Sequence, residues 1–178
     1  MTDYTFLDMG TMPKHRALTG SIYSQLSRYF DLFSTEEIIS KEDCDLVYLG
    51  NRIEGGFLAD LETSAENYSS DVLNMMSVVI PDLMIFKKNP FLYNNTGVRV
   101  IGCPDLIVEV WSESNKLGEI QFKQQLYSTS NKTEFWQIYQ DSDTITVTIG
   151  NQKLPTKSLK SKLTTQNGLE IDLQNVYK

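Results

Sequence analysis

The chain has few of the side chains that build most transition-metal sites. It contains one histidine, His15, and two cysteines, Cys44 and Cys103, which lie far apart and form no CxxC pair. A site that needs two or more histidines is therefore excluded, and neither a Cys-rich zinc site nor a disulfide framework is expected. Such cysteine usage is typical of a reducing compartment. A Ser-His-Asp hydrolase would have to use His15, and the sequence has no GxSxG elbow.

Long hydrophobic runs and excess positive charge are also missing. The first ten residues have neither the basic nor the apolar region of a secretory signal, and polar residues and a proline interrupt the most apolar stretch, residues 72–86. We therefore expect a cytoplasmic protein with no membrane partner. The net charge of -7 argues against a general nucleic-acid coating protein, but it is compatible with a nucleic-acid enzyme whose acidic centre holds metal.

What the sequence does contain indicates one folded domain over residues 1–178, with 40% apolar and 22% charged residues. An apolar stripe at Leu18, Ile22, Leu26, Tyr29 and Phe33 predicts a helix that begins near Pro13. The remaining pattern gives the order α, β, β, β, α, β, β. Strands are predicted at residues 45–49, 78–86, 105–110, 135–139 and 144–149, a helix at 119–128, a loop at 51–70 and a turn at 87–96.

Two acidic residues stand in apolar strands. Glu109 lies in LIVEV and Asp82 lies in VVIPDLMIF. A buried ionised carboxylate is costly unless it is paired or bound to metal. If the two strands pair antiparallel with Phe86 opposite Asp105, then Asp82 lies opposite Glu109, with Cβ atoms about 5 Å apart. A divalent cation between the two carboxylates would relieve their repulsion.

Two further residues are candidates for this site. Lys123 shares a face of the predicted second helix with Ile120 and Tyr127, so a helix folded over the sheet could direct its ammonium group toward the carboxylates. A lysine in that position can orient a water molecule or stabilise charge on a phosphate oxygen. Asp105 lies roughly 13 Å from Glu109 along the same strand, so we assign it a supporting or structural role.

Structural explanations exist for each of these residues. Asp82 follows a proline and could begin a turn. Glu109 could form a buried salt bridge with Lys123 or Arg99 without any metal, and Lys123 alone could be a solvated helix residue. His15 could be a surface or hydrogen-bonding residue, and Tyr127 could belong to the core.

Five segments together resemble one nuclease family. They are PDLMIF (81–86), GCPDLIVEVWSES (102–114), EIQFKQQLY (119–127), EFWQIY (134–139) and GLEIDL (168–173). They are similar to the Uma-type restriction endonuclease family of the PD-(D/E)xK nuclease superfamily. That resemblance implies a single restriction-endonuclease-like domain of the α/β class (α+β with a mixed sheet). Its central mixed β-sheet would be flanked by helices, with the elements in the order α-β-β-β-α-β.

The resemblance also implies roles for individual residues. Asp82 and Glu109 would be the acidic catalytic residues and, with the backbone carbonyl of Val110, the ligands of Mg²⁺ or Mn²⁺. Trp111 stands where the superfamily signature has lysine. The Uma-type family usually has an apolar residue there, and Lys123 would supply the catalytic lysine from the following helix. His15 matches a position in the first helix that often carries histidine.

The sequence thus predicts a metal-dependent nuclease that hydrolyses DNA phosphodiester bonds. The resemblance implies DNA as the partner and is compatible with a homodimer. One departure leaves an alternative open. The family usually has a Tyr-Glu-Leu-Ile-Asp-Gly-Glu stretch before the first helix, where this chain has YTFLDMG. The alternative is a nuclease-like binding or regulatory protein without catalytic activity.

Overall fold

The computed structural model describes residues 11–33, 38–40, 45–48, 78–86, 91–94, 98–166, 168 and 170–174. The loop predicted at residues 51–70 lies outside this set. The described helices are α1 (Thr11–Phe33) and α2 (Leu117–Tyr127). The described strands are β1 (Ile38–Ser40), β2 (Asp45–Tyr48), β3 (Val78–Val79), β4 (Leu83–Phe86), β5 (Phe91–Asn94), β6 (Val98–Gly102), β7 (Leu106–Trp111), β8 (Glu134–Tyr139), β9 (Thr144–Ile149), β10 (Gln152–Lys153), β11 (Lys157–Ser158), β12 (Leu163–Thr164) and β13 (Glu170–Ile171). Neither helix in these ranges is long and apolar enough to cross a membrane.

A mixed sheet of seven strands forms the centre of the fold. Its order is β1-β4-β7-β8-β9-β10, and β11 also pairs with β9. Strand β7 is parallel to β8 and antiparallel to β4. Along the chain, the helices and the strands of this sheet follow the order α1-β1-β4-β7-α2-β8-β9-β10-β11, whose first six elements have the predicted order. The predicted mixed sheet with flanking helices and its α-β-β-β-α-β order are therefore confirmed.

The register between β4 and β7 is also the predicted one. Leu83 lies opposite Val108, and Ile85 lies opposite Leu106. Continuing that register by one residue places Asp82 opposite Glu109. Successive strand residues point to opposite faces of the sheet, so a shift of one residue would have separated the two carboxylates.

The two faces of the sheet carry two separate apolar clusters. One cluster joins the buried stripe Leu18, Ile22 and Leu26 of α1 to the sheet. The strand residues of this first cluster include Leu83, Ile85, Leu106, Val108, Val110, Trp136 and Ile138. The second cluster joins Tyr127 of α2 to Met84, Phe86, Ile107, Trp111 and Phe135 on the other face. Each helix therefore covers one face of the sheet. The side chains of Tyr29 and Phe33 lie outside the described part of the chain.

Two predictions need correction, the place of the strand at residues 45–49 and the turn at residues 87–96. The strand predicted at residues 45–49 forms as β2, but it belongs to a separate four-stranded sheet, β3-β2-β6-β5. Its expected place in the large sheet is taken by β1, which pairs with β4. Residues 87–96 are not simply a turn, because β5 lies within them and pairs with β6. Strands β4 and β7 therefore pair without forming a hairpin, since the chain between them contributes two strands to another sheet.

The packing of α1 gives a direct test of this fold. Leu18 is fully buried, whereas Leu117 at the start of α2 is 68% exposed. We expect Leu18→Ala to lower the free energy of unfolding by about 2–5 kcal/mol, because it removes buried apolar contacts and leaves a cavity. The same change at Leu117 should alter that free energy by less than about 0.5 kcal/mol. Urea denaturation measures both values, and equal effects would contradict the packing of α1 on the sheet.

Candidate active site

A cavity of about 320 Å³ lies at the edge of the large sheet. The parallel strands β7 and β8 both end there, and β4, which is antiparallel to β7, begins there. The first turns of α1 and the middle of α2 close it from the two faces of the sheet. Asp82, Glu109, Val110, Lys123 and His15 all line this cavity. The structure thus brings together the main residues that the sequence predicted for the site.

Glu109 is the buried charge around which the site is built. It is 1% exposed, and its neighbours along β7 are buried apolar residues. The hydroxyl group of Tyr127 donates to Glu109 Oε1 at 2.9 Å, and the Lys123 ammonium group lies 2.9 Å from the carboxylate. Burial raises the pKa of Glu109 to about 7, and the Lys123 charge opposes that rise while the charge on Asp82 adds to it.

Lys123 is held by contacts on several sides. Besides Glu109, its ammonium group donates to the backbone carbonyl of Ile80 at 3.1 Å. It lies 5.5 Å from the ring centroid of Trp111 and 3.8 Å from Glu119 Oε1, one helical turn away. Lys123 and Tyr127 are the buried residues of α2 and are four positions apart, so they lie on the same face of the helix. That spacing lets one helix supply both partners of Glu109.

Asp82 is oriented by groups from two other elements. The backbone N–H of Val110 donates to Asp82 Oδ2 at 2.7 Å, and His15 Nε2 lies 3.2 Å from the same oxygen. Within the described residues, these contacts of Asp82 fall on Oδ2, which leaves Oδ1 as the oxygen that could face a cation. His15 is therefore a direct partner of the aspartate, and its side chain is 28% exposed.

The backbone of Val110 is directed into the same region. The N–H and C=O groups of a strand residue point toward the same neighbouring strand, and the N–H of Val110 points toward Asp82. The register of β4 and β7 places Pro81 opposite Val110. Proline has no N–H, so Pro81 cannot donate to the Val110 carbonyl as the residue opposite would in a regular ladder.

The donor set fits a hard divalent cation. The described residues contain no group of three or more His, Cys, Asp or Glu side chains placed to share a metal ion. Two carboxylates and a carbonyl oxygen are nevertheless the ligand type that suits Mg²⁺ or Mn²⁺, and Mg²⁺ commonly uses only one or two carboxylates while it keeps several waters. Both oxygens of Glu109 already accept hydrogen bonds, but an ionised carboxylate has about four lone-pair sites.

The two remaining predicted residues, Asp105 and Tyr127, do not line the cavity. Asp105 is not among the residues that line it; the backbone N–H of Asp105 donates to Ile85 at the opposite end of β7. Tyr127 is a core residue in the second cluster and also donates to Glu109, so both interpretations of it apply. The sequence did not single out Gln140, which lines the cavity immediately after β8. Its position after a strand parallel to β7 was the signal available.

Comparisons with known proteins agree with this architecture. Residues 65–175 match the Uma2 family, described as "Putative restriction endonuclease". The fold is similar to a crystal structure from Anabaena variabilis described as "a putative nuclease belonging to DUF820", with a TM-score of 0.59 and 12% sequence identity. That similarity covers 92% of this chain and 80% of the other and concerns the fold alone. No curated protein matches the chain.

The family match spans more than half of the chain and includes all of the strand, turn and helix that carry Asp82, Glu109 and Lys123. It confirms the resemblance that the sequence motifs indicated. The chain belongs to the Uma2 family.

Proposed function

We propose that the protein is a metal-dependent nuclease of the PD-(D/E)xK type that hydrolyses DNA phosphodiester bonds. Asp82, Glu109 and Lys123 are its catalytic residues in this proposal. The observation that carries it is the buried contact of Lys123 with Glu109 at 2.9 Å, in a cavity that Asp82 also lines. Family membership supports a nuclease, and the donor set supports Mg²⁺ or Mn²⁺ as the cofactor.

Asp82, Glu109 and the carbonyl of Val110 would hold the ion. When bound, the ion would polarise the scissile phosphate and lower the pKa of a water molecule. His15 and the Val110 N–H keep Asp82 in one orientation through its Oδ2 atom. Tyr127 and Lys123 do the same for Glu109. Ligands whose positions are fixed before binding reduce the entropy lost when the ion and the substrate arrive.

Among the contacts that the described residues make, Lys123 has one donor left for the reaction. An ammonium group has three N–H donors, and the contacts with Glu109 and the Ile80 carbonyl use two of them. The third can donate to the attacking water or to a phosphate oxygen, where it would stabilise the negative charge that develops. Because two contacts hold the ammonium group, little reorientation is needed during the reaction.

The charge of the protein determines how DNA would bind. The chain carries a net charge of -7, so DNA would be repelled by most of the surface. Attraction would have to come from the bound ion and from local positive groups such as Lys14 at the start of α1. Binding that depends on a few charges weakens as salt concentration rises.

A cleavage assay tests the catalytic assignment. We expect the protein to cleave plasmid or oligonucleotide DNA with Mg²⁺ or Mn²⁺, and Lys123→Met to reduce the single-turnover rate by about 10²- to 10⁴-fold. Asp82→Asn and Glu109→Gln should reduce it at least as much, because each removes a charged ligand. The exposed pair Lys162 and Glu170, whose atoms lie 3.8 Å apart, provides matched controls.

In those controls, Lys162→Met and Glu170→Gln should retain the wild-type rate. Cleavage that persists in Glu109→Gln and in Lys123→Met would remove the site assignment. If wild-type protein binds Mn²⁺ and DNA but never cleaves the DNA, the alternative of a nuclease-like binding protein is favoured.

Metal binding should depend on pH. The pKa of Glu109 is raised to about 7, so below that pH the folded protein carries a proton that the ion must displace. Isothermal titration with Mn²⁺ should therefore give weaker binding at pH 6 than at pH 8, by up to about tenfold per pH unit below the pKa. The dependence should persist in His15→Gln, because Glu109 and not the imidazole group beside Asp82 is its source.

Two controls limit this result. Asp82→Asn should weaken Mn²⁺ binding at every pH, while Glu170→Gln should leave it unchanged. Equal affinity for wild type at pH 6 and pH 8 would contradict Glu109 as a ligand. Absence of binding at millimolar Mn²⁺ would contradict the proposed metal site altogether.

A further inference from the structure

Three buried polar side-chain atoms lack a hydrogen-bond partner in the described part of the chain. They are the indole Nε1 of Trp111 and both amide atoms, Nε2 and Oε1, of Gln140. The two residues are 2% and 1% exposed. Both line the cavity that contains Asp82 and Glu109. Unsatisfied buried groups are rare in folded proteins because each one loses its hydration without compensation.

The same protein satisfies its other indole. The Nε1 atom of Trp136 donates to Glu134 Oε1 at 2.7 Å, and the second oxygen of Glu134 accepts from the backbone N–H of Gln166. Trp136 is fully buried in the first apolar cluster. Since the fold provides a partner for an indole in its core, the unpartnered indole of Trp111 is a local feature of the cavity wall.

The backbone of Gln140 is fixed without any help from its side chain. The N–H of Gln140 donates to the carbonyl of Trp111 at 3.1 Å. The carbonyl of Gln140 accepts a hydrogen bond from the ammonium group of Lys14, which also lies 3.0 Å from Asp143. The strand end and helix α1 thus hold Gln140 at the wall, so the amide is not required to cap the strand.

The unpartnered groups are uncharged and are mostly donors. A lysine or arginine in this wall could pair with Asp82 or Glu109 and would compete with a cation for them. An amide and an indole cannot form ion pairs, yet their N–H groups can donate to an acceptor. A phosphodiester presents only acceptor oxygens toward a protein, and phosphate oxygens commonly take hydrogen bonds from neutral side chains.

We infer that Gln140, together with the indole N–H of Trp111, is a substrate-positioning wall that donates hydrogen bonds to a phosphate group of the nucleic-acid substrate. This inference rests on the proposed nuclease function and adds two residues to it. Gln140 has three side-chain torsions, so its amide can turn from the wall into the cavity when a phosphate arrives. The indole is held by the packing of Trp111 in the second cluster.

The test compares Gln140→Met and Trp111→Phe with the wild-type protein. Fluorescence anisotropy would measure the affinity for a DNA duplex with Ca²⁺ in place of Mg²⁺, over a range of salt concentrations. We expect each variant to bind about two- to tenfold more weakly, the loss of one neutral hydrogen bond. The slope of affinity against salt should be unchanged because no charge is removed, whereas Lys14→Met should reduce that slope.

Thermal unfolding of the DNA-free protein separates this role from a structural one. Gln140→Met replaces an unsatisfied buried amide with an apolar side chain of similar length, so its Tm should equal or exceed that of the wild type. A residue needed for folding would show the opposite. Weaker DNA binding together with an undiminished Tm is therefore the result that supports the inference.

Other results would overturn it. Wild-type affinity in both variants would show that the wall does not contact substrate. A Tm in Gln140→Met several degrees below that of the wild type would show that Gln140 has a structural role instead. A loss of affinity that depends on the base sequence would show that Gln140 contacts a base edge instead of phosphate. If the wild type still cleaves DNA in a metal-dependent reaction, any of these three results leaves the proposed function intact and refutes only this inference.

Discussion

The burial of one carboxylate, that of Glu109, is the constraint on which the rest of the site depends. Strand β7 is covered on both faces, so this side chain is almost entirely shielded from bulk water. Its negative charge must therefore be compensated by neighbouring groups, and α2 provides Lys123 and Tyr127 one helical turn apart. The position of α2 on the sheet thus follows from an electrostatic requirement as well as from apolar packing. A pKa raised to about 7 indicates that this compensation is incomplete.

The orientation of Asp82, the second acidic residue of the site, depends on where the pairing of β4 with β7 ends. Strand β4 stops pairing with β7 at the point where Pro81 and Asp82 occur, because proline cannot donate to a ladder. The Val110 N–H then binds the Asp82 side chain. His15 contacts the same carboxylate from α1. Side chains of helices on opposite faces of the sheet therefore line the same cavity. Where the ladder between β4 and β7 is interrupted, Asp82 and Val110 therefore line the cavity.

The cavity wall combines charged and neutral groups with different consequences for stability. The charge of Lys123 offsets part of the cost of burying Glu109, whereas the charge on Asp82 adds to that cost. Trp111 and Gln140 have no such compensation within the described residues. A protein selected only for stability would replace these polar atoms with apolar ones. Their retention beside the acids is understandable if a ligand supplies the missing partners, since functional sites commonly reduce stability.

The residue order is enough to identify the parts of this protein that depend on local pattern. Local patterns include the apolar stripe of α1, the apolar strand around Glu109 and the shared face of Lys123 and Tyr127. A charged residue within an apolar strand can be recognised from the residue order as a candidate site residue. Three-dimensional packing was needed to show that β1 is the outermost strand beside β4 and that β5 and β6 belong to a second sheet. It was also needed to show that His15 and Gln140 line the cavity. Those outcomes depend on contacts between distant segments, whose competition is settled by packing and not by periodicity. A polar residue after a strand, such as Gln140, looks like a surface turn until its neighbours are known.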